Sequence, residues 1–308
     1  MNLPKSVTVV EVGPRDGFQM EKVFIPTASK IEIINALGRC GIRRMEVTSF
    51  ISPKAIPQMR DAAEVMAGVE RGRGIHTIGL VPNPKGAENA VLAGVDEMLI
   101  FVSATESHNK SNVNRSIDES ISGFEDVMRI ALEAKVPVRA GIAVAFGCPF
   151  EGDVPPHRVG EIVGRLLDLG VEGVTLGDTT GMATPPLVRR TCEHLVGRYP
   201  GLEIALHFHN TRGIGLVNVY EALQMGLNTF ESSVAGLGGC PFAPGATGNI
   251  CTEDLVYLLQ ELGIETGIDL DALIRVAKRV EEIIGRPLPG QVMKAGKRLD
   301  LHPFPVRG

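Results

Sequence analysis

The sequence predicts a (β/α)8 barrel with a C-terminal helical extension. Three observations predict it. Eight short runs rich in β-branched and aliphatic residues alternate with longer helical patterns. A glycine followed by an aliphatic residue recurs where helical patterns stop, at Gly41-Ile42, Gly94-Val95, Gly170-Val171 and Gly226-Leu227. Reactive polar residues gather at the C-terminal ends of the runs, the side on which barrels carry their sites.

Taken in order, strands are expected at residues 7–12, 44–49, 76–81, 97–103, 138–145, 173–176, 203–209 and 229–234. Helical patterns fall between them, at 29–39, 57–69, 117–134, 159–169, 187–196 and 216–224. Glycine reaches the left-handed conformation that stops a helix, and the residue after it starts a strand. Ser116-Ile117-Asp118-Glu119 reads as a capping box, and Thr184-Pro185-Pro186 as an N-cap before proline. Right-handed βα connections repeated eight times close into a barrel. An open doubly wound sheet is the alternative, but Gly13-Pro14-Arg15-Asp16-Gly17 is not the GxGxxG fingerprint expected after its first strand. A helical pattern at 252–263 completes the barrel, and a second at 269–285 packs on it or on a partner subunit. The expected division is a catalytic barrel at 1–265 and a helical extension at 266–308.

The 308 residues, 44% of them hydrophobic, suffice for one large core. Net charge is −5, with 31 basic and 36 acidic residues interspersed, so neither nucleic acid nor an anionic membrane finds a concentrated basic field. Aromatic content of 5% without tryptophan argues against stacking platforms for bases. No stretch approaches the ~20 apolar residues of a membrane span, and no signal peptide is visible. Five scattered cysteines without CxxC spacing read as reduced thiols. A cytoplasmic protein is expected.

His207-Phe208-His209 is the sharpest local feature. Residues i and i+2 of a strand share a face, so both imidazoles point with Ala205 while Ile204, Leu206 and Phe208 pack under helices. An isolated pair of this kind also occurs as hydrogen-bonded core histidines. Its place at a strand end, opposite Asp16 and Glu46, favours a shared metal ion, and mixed nitrogen and oxygen donors suit Mg2+, Mn2+ or Co2+ better than structural zinc. Arg15-Asp16 offers a permanent cation beside an anionic ligand, although an isolated RDG is more often a surface turn. Residues 236–249 hold five glycines and two prolines around Cys240, a loop able to approach a ligand and deliver a thiol. Cys40, Cys148, Cys192 and Cys251 lack such a setting and read as packing residues.

Together these residues resemble the 3-hydroxy-3-methylglutaryl-CoA lyase family. The resemblance rests on EVGPRDGFQMEK at 11–22, EVTSFISPKAIPQM at 46–59, GCPFEG at 147–152, LGDTTG at 176–181 and SSVAGLGGCPFAPGATGN at 232–249. It runs in order over nearly the whole chain, and the GLGGCP loop is its most specific element. It implies a divalent metal, Mg2+ or Mn2+, on Asp16, His207, His209 and Asn249. It also implies Arg15 on the thioester oxygen, Cys240 as a mobile catalytic thiol, and Glu46 and Asp178 as further catalytic carboxyls. The expected substrate-binding set is Arg15, Gln19, Ser49, Arg139, Thr175 and Arg212. The implied activity is retro-Claisen cleavage of 3-hydroxy-3-methylglutaryl-CoA, or a close 3-hydroxyacyl-CoA analogue, to acetyl-CoA and acetoacetate by a homo-oligomer. A Claisen-type enzyme joining acetyl-CoA to a 2-oxo acid is the alternative. Met20, Asn210 and Arg212 depart from the family's usual Asn, Asp and Tyr, and bear on the acyl chain accepted.

Overall fold

The computed structural model describes residues 3–239 and 248–301. Eight strands form a closed parallel barrel: β1 (Thr8–Glu11), β2 (Arg44–Ser49), β3 (His76–Leu80), β4 (Glu97–Ser103), β5 (Val138–Ala143), β6 (Gly173–Asp178), β7 (Glu203–Phe208) and β8 (Thr229–Ser232). Each pairs with its neighbours in sequence. β8 returns to β1 from Thr8↔Thr229 to Glu11↔Ser232, which closes the sheet. A two-residue hairpin, Gly147–Cys148 with Gly152–Asp153, stands outside the barrel.

Strand alternation sorts the side chains. Val9, Met45, Ile100, Ile142, Leu176, Leu206 and Phe230 belong to the main core beneath the helices. Val10, Ile78 and Leu99, with Phe101, form a small separate apolar layer inside the barrel. Below it, at the N-terminal strand ends, lies an ionic floor. Arg139 Nε donates to Glu97 Oε1 at 3.1 Å, Nη2 pairs with Glu203 at 2.7 Å, and Nη1 donates to the Val174 carbonyl at 3.3 Å. Arg44 reaches Glu97 at 2.7 Å and Glu203 at 2.8 Å, and His76 reaches Glu97 at 2.9 Å. Burial raises the Glu97 pKa, but His76, Arg44 and Arg139 outweigh it and hold the carboxyl down at about 2.

The helices follow the expected pattern with informative exceptions. Expected residues 29–39 are α1 (Thr27–Arg39). The pattern at 57–69 becomes a 3-10 turn, Pro57–Met59, followed by α2 (Ala62–Ala67). The intervening Asp61 is buried and serves as a cross-link, accepting Lys30 Nζ at 2.6 Å and Thr27 Oγ1 at 2.8 Å. Two helices escape the apolar periodicity: α3 (Pro84–Ala93), capped by Asn83 Oδ1 on the Gly86 amide, and the polar α4 (Glu106–Val113). The run 117–134 divides at Gly123-Phe124 into α5 (Ile117–Ser122) and α6 (Glu125–Ala134), with the Phe124 ring buried in the break. The Ser116–Glu119 capping box forms in both directions. Thr184 precedes α8 as expected but makes no side-chain cap; the order continues with α7 (Pro156–Asp168), α8 (Pro185–Arg198), α9 (Gly215–Gln224) and α10 (Thr252–Glu261). The four helix-ending glycines all take positive φ, from 71° to 104°. α11 (Leu270–Ile284) buries Leu273, Val276, Ala277 and Val280 and packs on α1 and α10; the short α12 (Val292–Ala295) follows. No described helix is long and apolar enough to cross a membrane.

Removing one partner of the floor leaves a buried charge exposed to the low dielectric. Arg139→Met is expected to lower stability by about 3 kcal/mol at neutral pH. Glu97 has a depressed pKa, so this loss is full above the ordinary glutamate value of 4.5 and shrinks as pH falls towards about 2, where the wild-type carboxyl protonates as well. Urea unfolding at pH 7 and pH 3 measures both.

Candidate active site

The chain leaves β1 through a wide helical turn, Gly13–Gly17, in which the amides of Arg15, Asp16 and Gly17 all turn back on the Val12 carbonyl. This winding presents Arg15 and Asp16 over the barrel mouth. Gly17 is required by contact: a Cβ there would lie 2.6 Å from Leu237 Cβ.

Arg15 is buried and fully engaged. Its Nε donates to Glu46 Oε2 at 2.5 Å, Nη1 donates to Asp16 Oδ1 at 2.8 Å, and the guanidinium sits 5.8 Å from the Phe101 ring centre. Burial pushes Glu46 up to about 7, with Arg15 opposing and Glu231 and Asp16 reinforcing the rise. Burial would also raise Asp16, but Arg15, His207 and the Asn249 amide together hold its carboxyl below the usual range.

Asp16, His207 and His209 bring one ligand atom each to within 4.8 Å of one another. His207 Nδ1 lies 2.9 Å from Glu231 Oε2, and Glu231 Oε1 accepts the Thr175 hydroxyl at 2.7 Å. With Nδ1 committed to a carboxylate, His207 turns Nε2 towards the cluster, 3.1 Å from His209 Nε2. Burial lowers the His207 pKa, but Glu231 outweighs it and the net direction is up. Burial and the neighbouring His207 push His209 down to about 3, so it stays neutral and free to coordinate. Asn249 Nδ2 donates to Asp16 Oδ2 at 2.8 Å and to the Leu237 carbonyl at 3.0 Å, while its buried Oδ1 has no hydrogen-bond partner among the described residues. Two imidazole nitrogens, an ionised carboxylate and an unsatisfied amide oxygen fit a divalent cation.

A cavity of about 510 Å3 opens over this cluster. Its walls include Arg15, Asp16, Gln19, Thr175, His207 and His209 from the expected set, together with Met20, Phe101 and Thr179. Others of the expected set stand elsewhere. Arg139 is in the ionic floor at the opposite end of the barrel, held by Glu97 and Glu203. Arg212 spends its guanidinium on the carbonyls of Thr180 and Gly181, at 3.0 and 2.7 Å, tying the loop after β6 to the loop after β7. Ser49 is buried and accepts the Ile51 amide at 3.3 Å. Asp178 shares strand parity with the core residues Val174 and Leu176; its Oδ1 accepts the amides of Met182 and Ala183, and Oδ2 has no partner among the described residues. Burial, opposed by those two amides, pushes its pKa up to about 7. Cys240 lies outside the described residues; Cys40, Cys148, Cys192 and Cys251 are buried free thiols. Glu231 stands outside the motifs that single out the other site residues, though alternation along β8 places it inward beside His207.

A closed parallel barrel with a cation-ready cluster and a buried arginine at its mouth defines a metal-assisted (β/α)8-barrel enzyme. Comparison with known proteins narrows the class. The HMGL-like family model matches residues 6–280. The chain is 46% identical over 297 residues to the hydroxymethylglutaryl-CoA lyase YngG of Bacillus subtilis, covering 96% of this chain and 99% of that protein. It is 44% identical over 293 residues to the cytoplasmic 3-hydroxy-3-methylglutaryl-CoA lyase of Rattus norvegicus, covering 95% and 85%. Its structure matches an HMG-CoA lyase from Acinetobacter baumannii solved with coenzyme A and 3-methylmalate, at TM-score 0.94 and 45% identity over 99% of this chain and all of that one. The chain belongs to the hydroxymethylglutaryl-CoA lyase family, a family of carbon–carbon lyases.

Because Glu231 orients His207, Glu231→Gln is expected to weaken Mn2+ binding about 10- to 100-fold while the fold persists. Titration calorimetry with the metal alone reads this, and unchanged affinity would detach Glu231 from the cluster.

Proposed function

We propose that the chain cleaves 3-hydroxy-3-methylglutaryl-CoA, or a close 3-hydroxyacyl-CoA analogue, to acetyl-CoA and acetoacetate. The observation that carries this reading is the convergence of Asp16, His207 and His209 beside Arg15 on the wall of one cavity, with Glu46 holding the guanidinium from behind. Asp16, His207, His209 and Asn249 would hold the ion, with Mg2+ or Mn2+ the proposed metal. Bound there, a divalent cation lowers the pKa of a substrate hydroxyl and offsets the charge of a neighbouring carboxylate.

The remaining steps belong to the chain's own groups. Asp178 takes the tertiary hydroxyl proton through an intervening water, since strand parity keeps its side chain off the cavity wall and its Oδ2 is unsatisfied. The C2–C3 bond breaks, its electron pair passing to C2, and acetoacetate and the enolate of acetyl-CoA result. Arg15, already held in place by Glu46 and Asp16, stabilises the negative charge on the thioester oxygen without reorganising. Cys240 then returns a proton to the enolate carbon. Gln19 and Thr175 on the cavity wall orient the acyl group. We assign residues 1–265 to the catalytic barrel and 266–308 to its extension, and expect a cytoplasmic homo-oligomer, a state that light scattering reads.

Purified protein with Mn2+ and a panel of 3-hydroxyacyl-CoA thioesters, followed by mass spectrometry of products, tests the reaction. Formation of a condensation product from acetyl-CoA and a 2-oxo acid, with no cleavage, would replace it. Cys240→Ala is expected to keep its metal and to lose about 100- to 10,000-fold in kcat. Asp178 acts as a base only when ionised, so kcat/KM is expected to rise with pH up to about 7 and then level. Asp178→Asn removes that limb, and a wild-type profile in the variant assigns the proton transfer elsewhere.

A further inference from the structure

Two fully buried carboxyls outside the cation cluster hold consecutive backbone amides at the base of the glycine-rich loop. Glu11 Oε1 accepts the amides of Gly13 and Val234, each at 2.8 Å, and Oε2 accepts the Thr252 hydroxyl at 2.7 Å. Glu253 Oε2 accepts the next amide, that of Ala235, at 3.0 Å. Ala235 is left-handed, with φ 56° and ψ 12°, a conformation that a residue with a Cβ adopts only when its surroundings impose it. Among the described residues, Glu253 Oε1 has no hydrogen-bond partner.

The C-terminal extension closes over this point. A Cβ on Gly290 would overlap Glu253 Oε1, and one on Gly236 would lie 2.7 Å from Pro289 Cγ. Asp254 anchors the same segment by accepting the amides of Gln291 at 3.0 Å and Val292 at 2.7 Å. On the other side, Ala235 leads within two residues to the Leu237 carbonyl, which accepts Asn249 Nδ2. That nitrogen also donates to Asp16, so a continuous set of contacts joins residues 288–292 to two proposed cation ligands.

We propose that Glu253, wedged in place by residues 288–292, is a positioning residue that holds Ala235 left-handed and so sets the Leu237 carbonyl against which Asn249 and Asp16 are arranged. The extension then serves the site and is more than a cover for the barrel. The inference rests on the cation cluster of the proposed function. Burial pushes Glu253 up to about 8, so at neutral pH its carboxyl is largely uncharged and glutamine is a close substitute as acceptor.

Four variants test this by Mn2+ affinity, measured with the metal alone, and by steady-state cleavage of 3-hydroxy-3-methylglutaryl-CoA. Glu253→Gln should stay within about threefold of wild type in both, because an amide oxygen still accepts the Ala235 N–H. Glu253→Ala and Gly290→Ala should raise the Mn2+ Kd about 10-fold and lower kcat about 100-fold, with KM little changed. Glycine needs no clamp to be left-handed, so Ala235→Gly added to Glu253→Ala should recover about 10-fold of the lost kcat. Wild-type affinity and kcat in Glu253→Ala overturn the proposal, as does a glutamine variant as impaired as the alanine one. Should Glu253→Ala fail to fold, Gly290→Ala decides by the same two measurements. A wild-type protein that binds Mn2+ but cleaves no 3-hydroxyacyl-CoA sinks the functional reading, and the metal affinities alone then decide this one.

Discussion

Closure of the sheet through the β1–β8 ladder is the contact on which the site depends. It sets Glu11 opposite Ser232 and leads the chain into the turn carrying Arg15 and Asp16. Because β8 also pairs with β7, the same closure brings Asp16 beside His207 and His209. Asn249 and Asp16, hydrogen-bonded at 2.8 Å, are 233 residues apart in the chain. No local propensity could assemble such a group. The ladder and the apolar layer beneath the helices fix its geometry before any ligand arrives.

The barrel interior is unusually rich in ionisable groups, and their arrangement follows from the cost of burying charge. At the floor, two arginines and a histidine surround Glu97, and the network is largely satisfied. The mouth differs. Arg15 is matched by Glu46 and Asp16, and His207 by Glu231, yet Asn249 Oδ1 and Asp178 Oδ2 remain unpaired among the described residues. Unsatisfied acceptors persist in a packed interior when something else completes them. The small apolar layer of Val10, Ile78 and Leu99 separates the two charged regions, so the floor can be structural while the mouth is reactive.

The departures from the family's usual motif acquire physical meanings. Asn210 Oδ1 accepts the Gly215 amide at the entry to α9, and Arg212 braces the neighbouring loop through carbonyl oxygens. Both substitutions thus work on loop architecture and leave the cluster intact. Met20 lines the cavity, and of the three departures it alone stands on the cavity wall. A metal-assisted cleavage at this mouth is therefore compatible with the family's chemistry.

The chain alone revealed eight strands, the helix-ending glycines and the reactive residues at strand ends, because these follow from periodicities of two and 3.6 and from the few residues that tolerate positive φ. Its motifs likewise pointed to Asp16, His207 and His209. It did not reveal α3, whose start rests on the Asn83 cap, or the polar α4, which lacks an apolar stripe, nor the break at Gly123-Phe124. Strand parity on β8 could have exposed Glu231. Arg139 and Arg212 show the reverse limit: an arginine in a motif-like setting looks the same whether it meets a ligand, a carboxylate or a carbonyl. Which of these it meets depends on contacts between residues distant in sequence, such as Arg44 and Glu203 or Glu253 and Gly290, and those exist once the barrel has closed and the extension has packed upon it.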